Sequence, residues 1–410
     1  MTNIVKKKKN NLFLVALCLF VLHQVPIIGL YTNSILYLGI VLLLYYSAYN
    51  TIGEKLFLNY FSLAFPMCLL IFLKGLFVGS TFFTTFYTLL QYIISIIVGL
   101  YVVNNKDYNL AWKLMTLLFL TYIVTAITTY YGNIMIPHAS RMLAMAEDVA
   151  GKGVQDHITS LNIGGFAFVY TLSLCIPILI GMFKNRMVSF VMPLLLIALF
   201  FITIYKSEYT TALLMSLLSL PLLFLNKNMS NRKFRVFLAF YIILVLLFIS
   251  VIPLIAGMIG DDIESHLLSR RLTEITDFIE NPQLASTDDS SDMALRNSLY
   301  TKSLDAFWQN PLFGSLSGKG LGGHSFLFDS LGILGLIGAW LYWLMFRRFF
   351  KYFIKPYKKT PYYGYFFLAY CVSIILTVIN TQVFVYFLSL FVPSSIVFFE
   401  NNWKKQPTKT

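Results

Sequence analysis

Apolar stretches recur along nearly the whole chain of 410 residues, and each is long enough to cross a bilayer as a helix, which takes about 20 residues. They lie near 12 to 30, 34 to 50, 56 to 78, 83 to 103, 110 to 131, 161 to 183, 187 to 205, 208 to 225, 234 to 257, 326 to 346, 362 to 380 and 383 to 399. With 58% hydrophobic and only 12% charged residues, such a chain has the bilayer as its solvent. In hydrocarbon every backbone polar group must be satisfied internally, so runs of this length dictate helices. The expected fold is all-α: one integral-membrane domain spanning 1–410, a polytopic bundle of about 12 transmembrane helices. The basic start, with Lys6 to Lys9, is too long in its apolar part for a signal peptide and reads as an uncleaved first helix.

The charges follow the same alternation. Placing Lys6 to Lys9 inside puts 22 of the 31 Lys and Arg residues on the cytoplasmic face, including Lys55, Lys106, Lys113, the cluster at 227 to 235 and the six between 347 and 359. Of the 18 acids, Glu54, Asp107 and Glu400 alone fall inside. This satisfies the positive-inside rule, with both termini cytoplasmic. The net charge of +13 therefore describes a face beside anionic lipid and not a nucleic-acid surface. Cys18, Cys68, Cys175 and Cys371 all sit inside apolar runs, too far apart for a CxxC pair, and imply neither a disulfide framework nor a zinc site.

Two outer loops exceed what a connection needs. The first covers 132 to 160. The second, from 258 to 325, precedes the tenth helix and is expected to be partly helical, a cap over an outward-facing cavity. Within it Ile263, Leu267, Ile275 and Ile279 mark one apolar stripe, behind Asp261 and Asp262 at the favourable end and stopped by Asn281-Pro282. A second helix fits 293 to 309, with Leu295, Leu299, Leu304 and Trp308 inward and Asn310-Pro311 as its stop.

Candidate chemistry gathers at the end of this loop, in "NPLFGSLSGKGLGGHSF". Its glycines permit backbone N–H groups to form an anion-binding nest, Lys319 adds a charge, and Ser325 is placed to cap the next helix, whose positive end favours an anion. The string lacks the Gly-Lys-Ser/Thr ending of a P-loop, and glycine-rich entries to membrane helices are common for purely structural reasons. His324 has a side chain able to accept a proton from a hydroxyl near neutral pH, although a loop histidine bonded to backbone is the commoner fate. His138, His157 and His266 keep that bland reading, and His23 reads as a helix-to-helix contact. Arginines on the outer side run against the positive-inside trend: Arg141 in the smaller loop, and Arg270, Arg271 and Arg296 in the larger. Guanidinium groups grip phosphate in a two-pronged fashion; pairing with nearby acids on a solvated helix face is the competing explanation. Lys206 and Glu208, in "YKSEYT" at an outer helix end, are placed to line the same cavity. No group of residues has the spacing of a metal-ligand set.

Taken in order, the topology, Arg296, Trp308, "NPLFG", and "GGHSF" leading into "LGILGLIG" resemble the O-antigen polymerase and O-antigen ligase superfamily. The topology spans essentially the whole chain, while the sequence words occupy about 296 to 338. The resemblance implies a glycosyltransferase without metal or cofactor, in the bacterial cytoplasmic membrane. It would transfer glycan from undecaprenyl diphosphate to a lipid-linked repeat unit on the outer side. Its partners would be that lipid-linked oligosaccharide and membrane lipid, with a flippase and a chain-length regulator as companion proteins, and no nucleic acid. The family's proposed base falls on His324 and its diphosphate-contacting arginine on Arg296. Arg270, Arg271, Arg141, Lys319 and Ser325 are expected to complete the binding surface. Lys206 stands where the family often has Ser-Arg, and Ser325 where ligases commonly have asparagine. The alternatives are a ligase delivering glycan to a terminal acceptor, and a flippase that moves the lipid-linked sugar without reacting it.

The topology is testable directly. A cysteine placed at Ser286 should react with a membrane-impermeant maleimide in intact cells; reaction only after permeabilisation would overturn the charge argument.

Overall fold

The structure, a computed structural model, describes residues 3–23, 25–30, 34–48, 54–77, 82–143, 151–224, 292–315, 321, 325–379 and 387–405, with Val236, Ala239, Phe240 and Ile243 singly. Among these residues there is no strand, and nearly everything is helical. In chain order the helices are α1 (Asn3–Leu22), α2 (Pro26–Leu30), α3 (Ser34–Ala48), α4 (Glu54–Phe77), α5 (Phe82–Asn105), α6 (Tyr108–Met135), α7 (Ala139–Met142) and α8 (Lys152–Ser160). They continue as α9 (Phe166–Lys184), α10 (Val191–Lys206), α11 (Thr210–Leu217), α12 (Asp292–Gln309), α13 (Phe326–Phe349), α14 (Tyr363–Ile379) and α15 (Val392–Lys405). By length and composition four segments among the described residues could cross a membrane: Phe86–Asn105, Tyr108–Met135, Phe166–Lys184 and Phe326–Tyr357. Shorter apolar helices accompany them. The stretch near 234 to 257 and the stripe from Ile263 to Ile279 lie outside the described residues.

The bundle interior is built from phenylalanine, leucine and tyrosine contributed by nearly every long helix, among them Phe20, Tyr170, Phe200, Phe366 and Phe399, all buried. Small residues set the tightest helix approach: a Cβ on Gly99 would lie 1.6 Å from the Ser389 carbonyl oxygen, and Ser389 donates to Ser95 across the same contact at 2.8 Å. Helix ends expected on one face meet one another. Lys106 pairs with Glu400 at 3.4 Å and the Lys184 ammonium donates to the Leu223 carbonyl at one end. At the other, His23 bonds Tyr87, Thr128 donates to the Asn162 carbonyl, and Tyr300 donates to the Ile379 carbonyl at 2.6 Å. The smaller loop is ordered there: α8 packs on α2, and Ala139, Ile158 and Ile163 form a satellite apolar cluster.

Two expectations change. The helix at 293–309 exists as α12, but its inward face is Ser303, Ala306 and Phe307, while Trp308 is 70% exposed. Leu299 and Leu304 are half-buried. The apolar pattern misled because a small residue, Ser303, makes the closest approach and leaves the large indole outside.

The second change is larger: α13 is not one straight span. At Gly335 the backbone turns to φ 61°, ψ −153°, far from helical values. Phe326 and Tyr342, 16 positions apart, would be about 24 Å apart on a continuous helix; their ring centroids lie 4.6 Å apart. A Cβ on Gly338 would also touch Leu334 and the Ser330 carbonyl. The segment therefore doubles back, a short arm (326–334) lying against a long arm (336–349).

The break leaves backbone groups without helical partners, and the segment after α12 supplies them. Leu336 N–H donates to the Pro311 carbonyl at 2.9 Å, and Ser315 N–H donates to the Gly332 carbonyl at 2.7 Å. Two glycines make this approach possible. A Cβ on Gly335 would lie 2.4 Å from the Leu312 carbonyl, and one on Gly314 (φ 70°) would lie 2.2 Å from the Ile333 carbonyl carbon.

Gly335→Ala should therefore destabilise the protein by at least ~1–2 kcal/mol from the left-handed backbone alone, with the clash in addition. Gly39→Ala, where a new Cβ meets nothing within 4 Å, is the control. Thermal melting in mild detergent should separate the two variants; equal melting temperatures would contradict the junction.

Candidate functional site

The doubled-back helix positions a polar group inside the apolar bundle. Ser325 has extended backbone (φ −127°, ψ 119°), and its hydroxyl accepts from Phe328 N–H at 3.2 Å, capping the short arm of α13. The same hydroxyl donates to the Val378 carbonyl at the end of α14. Ser325 is thus fully buried and engaged on both sides, which ties the arm's start to a neighbouring helix.

One turn further on, Asp329 is 4% exposed. Ser303 of α12, itself buried, donates to its carboxylate at 2.7 Å. A Cβ on Gly332 would lie 2.7 Å from the Ser303 carbonyl, so the missing side chain is what brings α12 close enough for this bond. Lys74, near the end of α4, completes the group. It is half-buried, its ammonium lies 5.6 Å from the centre of the Phe326 ring, and it senses the Asp329 charge. Its ammonium makes no hydrogen bond or ion pair with another described residue. A cation at the rim of an apolar bundle, close to the positive end of a helix, is costly unless an anion compensates it. The arrangement suits an anionic ligand entering from the loop side.

Sequence reading passed over Asp329 and Lys74. The signal was present: each is a charged residue inside a predicted span, and such residues are costly enough to mark sites. They were submerged because each stands alone in its own apolar run.

A second polar cluster joins the α6–α7 and α10–α11 connections. His138 and Glu208 pair at 2.6 Å, both with left-handed backbone (φ 64° and 58°). Beneath them Asn133 donates to the hydroxyls of Ser140 at 2.8 Å and Ser207 at 3.3 Å, and accepts from Ser140 N–H at 3.0 Å. Tyr209 donates to the Ser140 carbonyl at 2.8 Å. Two strained non-glycine positions facing each other are held by this network. His138 is therefore hydrogen-bonded to a side chain and not to backbone, and Glu208 is directed to it.

The expected site residues divide accordingly. Lys206, exposed at the end of α10, and Arg141, half-buried and electrostatically coupled to Tyr209, belong with the His138–Glu208 cluster. Ser325 belongs with Asp329 and Lys74, and the backbone of Arg296 lies in the first turns of α12, the helix that supplies Ser303. Arg270, Arg271, Lys319 and His324 lie outside the described residues. Among the described residues no group of three or more His, Cys, Asp or Glu could hold a metal ion.

Ser303→Ala removes a donor from a buried carboxylate, and a hydrogen bond to a charged group is worth ~1.5–3 kcal/mol. The variant should melt lower by that measure, with Ser303→Thr restoring most of the loss; unchanged melting of Ser303→Ala would show that Asp329 does not depend on this bond.

Comparisons with protein-family models, with curated proteins and with solved structures find no match.

Proposed function

We propose that this chain is a polysaccharide polymerase of the O-antigen polymerase and ligase kind, with twelve membrane passes and both termini cytoplasmic. It would act on the outer side of the bacterial cytoplasmic membrane, transferring a glycan from undecaprenyl diphosphate to a hydroxyl of another lipid-linked repeat unit. The observation that carries this reading is the coincidence of two features. The stretch whose sequence words resemble that superfamily is also the stretch that folds into the broken helix α13, and the buried start of that helix lies beside Lys74 and follows directly on position 324.

In this reading the diphosphate takes the place beside Lys74, and Arg296 is its arginine contact, as the resemblance implies. His324 accepts the proton of the acceptor hydroxyl as its oxygen bonds the anomeric carbon. The bond from that carbon to the diphosphate breaks, and the accumulating negative charge is offset by Arg296, Lys74 and the start of α13. Asp329, held by Ser303, acts on Lys74 only through its charge and favours the ammonium form. A ligase would use the same geometry with a different acceptor.

A second reading, a flippase, gains from one specific observation. Transporters bind substrates at interrupted helices with charged groups at membrane depth, and Asp329 with Lys74 at a doubled-back helix has that form. Turnover separates the two readings.

Purified protein given synthetic undecaprenyl-diphosphate repeat units should produce a ladder of products, and the ladder should persist in excess chelator. His324→Ala should slow it by ~10²- to 10⁴-fold. Arg296→Lys should fail nearly as badly as Arg296→Ala, since an ammonium cannot reproduce a forked grip. Movement of the intact lipid-linked unit across proteoliposomes without elongation would establish the flippase instead.

A further inference from the structure

Away from the doubled-back helix, a shallow apolar cleft opens between α6, α9 and α10. Its walls include Trp112, Phe119, Leu179, Met182, Met192 and Leu196. Trp112 and Met192 are 45% and 39% exposed, so the cleft opens on the bundle's periphery, where it faces lipid. Trp112 lies one turn into α6 and stacks on Phe398 at 5.1 Å, in keeping with an indole at a membrane interface. The cleft lies toward the end of the bundle that also holds the Lys106–Glu400 pair.

The charge at that end is lopsided. Two of the three acids expected at that end are already engaged: Asp107 caps α6 by accepting from Leu110 N–H at 3.0 Å, and Glu400 takes Lys106 at 3.4 Å. Arg186 is exposed and has left-handed backbone (φ 50°); its N–H donates to the Phe183 carbonyl at 3.1 Å, while its guanidinium makes no hydrogen bond or ion pair with another described residue. It stands in the turn between α9 and α10, and the residues on either side of that turn, Met182 and Val188, both line the cleft. Lys113, next to Trp112, is also exposed. An apolar slot with an uncommitted guanidinium in the turn that bounds it fits a molecule with an apolar tail and an anionic head.

We propose that this cleft is a seat for an anionic glycerophospholipid, with one acyl chain between α6, α9 and α10 and the phosphate beside Arg186. The site is independent of the transfer chemistry and lies at the opposite ends of α6 and α10 from His138 and Lys206.

Native mass spectrometry of the detergent-purified protein, titrated separately with phosphatidylglycerol and phosphatidylcholine of equal chain length, tests it. The wild type should retain phosphatidylglycerol at about fivefold lower concentration than phosphatidylcholine, the preference one surface cation confers. Arg186→Gln, at an exposed position outside the core, should abolish that preference. Thr116→Phe, which fills the cleft, should weaken both lipids, with thermal melting confirming that the variant is folded. Equal retention of the two lipids by the wild type, or an unchanged preference in Arg186→Gln, would overturn the proposal. Should Thr116→Phe fail to fold, the Arg186→Gln comparison alone decides.

Discussion

The candidate site depends on a backbone junction: the carbonyls and amides of Pro311 to Ser315 laid against those of Gly332 to Leu336. A helix interrupted inside a bilayer exposes N–H and C=O groups that hydrocarbon cannot satisfy, so an interruption survives only where other protein groups take them up. Here the loop leaving α12 does so, and it can reach only because Gly314 and Gly335 carry no Cβ. Without the junction α13 would straighten, Phe326 would leave Tyr342, and the start of the helix would move away from Lys74. The glycines of the stretch thus have a structural duty that precedes any role in binding an anion.

Once the helix is folded back, its polar beginning becomes an interior feature. Ser325, Asp329 and Ser303 are all buried, and each finds a hydrogen-bond partner on a different element: α14, α12 and α13 respectively. Three helices are therefore held in register by bonds that converge on one short arm. Lys74 alone has no such partner among the described residues, an asymmetry expected of a site whose remaining ligand arrives from outside. The reading as a polymerase rests on this asymmetry together with the sequence words around it.

Much of the architecture was legible in the sequence because hydrophobic length is a strong signal. The helices at 34–48, 54–77, 82–105, 108–135 and 363–379 begin and end within a few residues of the apolar runs. The Asn310-Pro311 stop and the Ser325 cap were legible for a local reason, since both are properties of a few consecutive residues. The doubling of α13 was hidden because "LGILGLIG" is as apolar as any straight span; only the partner segment from Pro311 to Ser315 explains why Gly335 breaks. Likewise the inward face of α12 is decided by a close approach at Ser303 that hydrophobicity does not register, and His138 and Glu208 are 70 positions apart with nothing local to pair them.

Chemical cross-linking tests most directly that α13 folds back on itself. In a background with Cys18, Cys68, Cys175 and Cys371 replaced, cysteines at Phe326 and Tyr342 should be joined within one chain by a short bifunctional thiol reagent, because the rings at those positions lie 4.6 Å apart between centroids. The reagent is chosen to exceed the reach of a disulfide and to fall well short of the roughly 24 Å at which a continuous helix would hold these positions. Intramolecular cross-linking is the predicted result; a protein that folds, inserts and reacts at both cysteines without being cross-linked would contradict it.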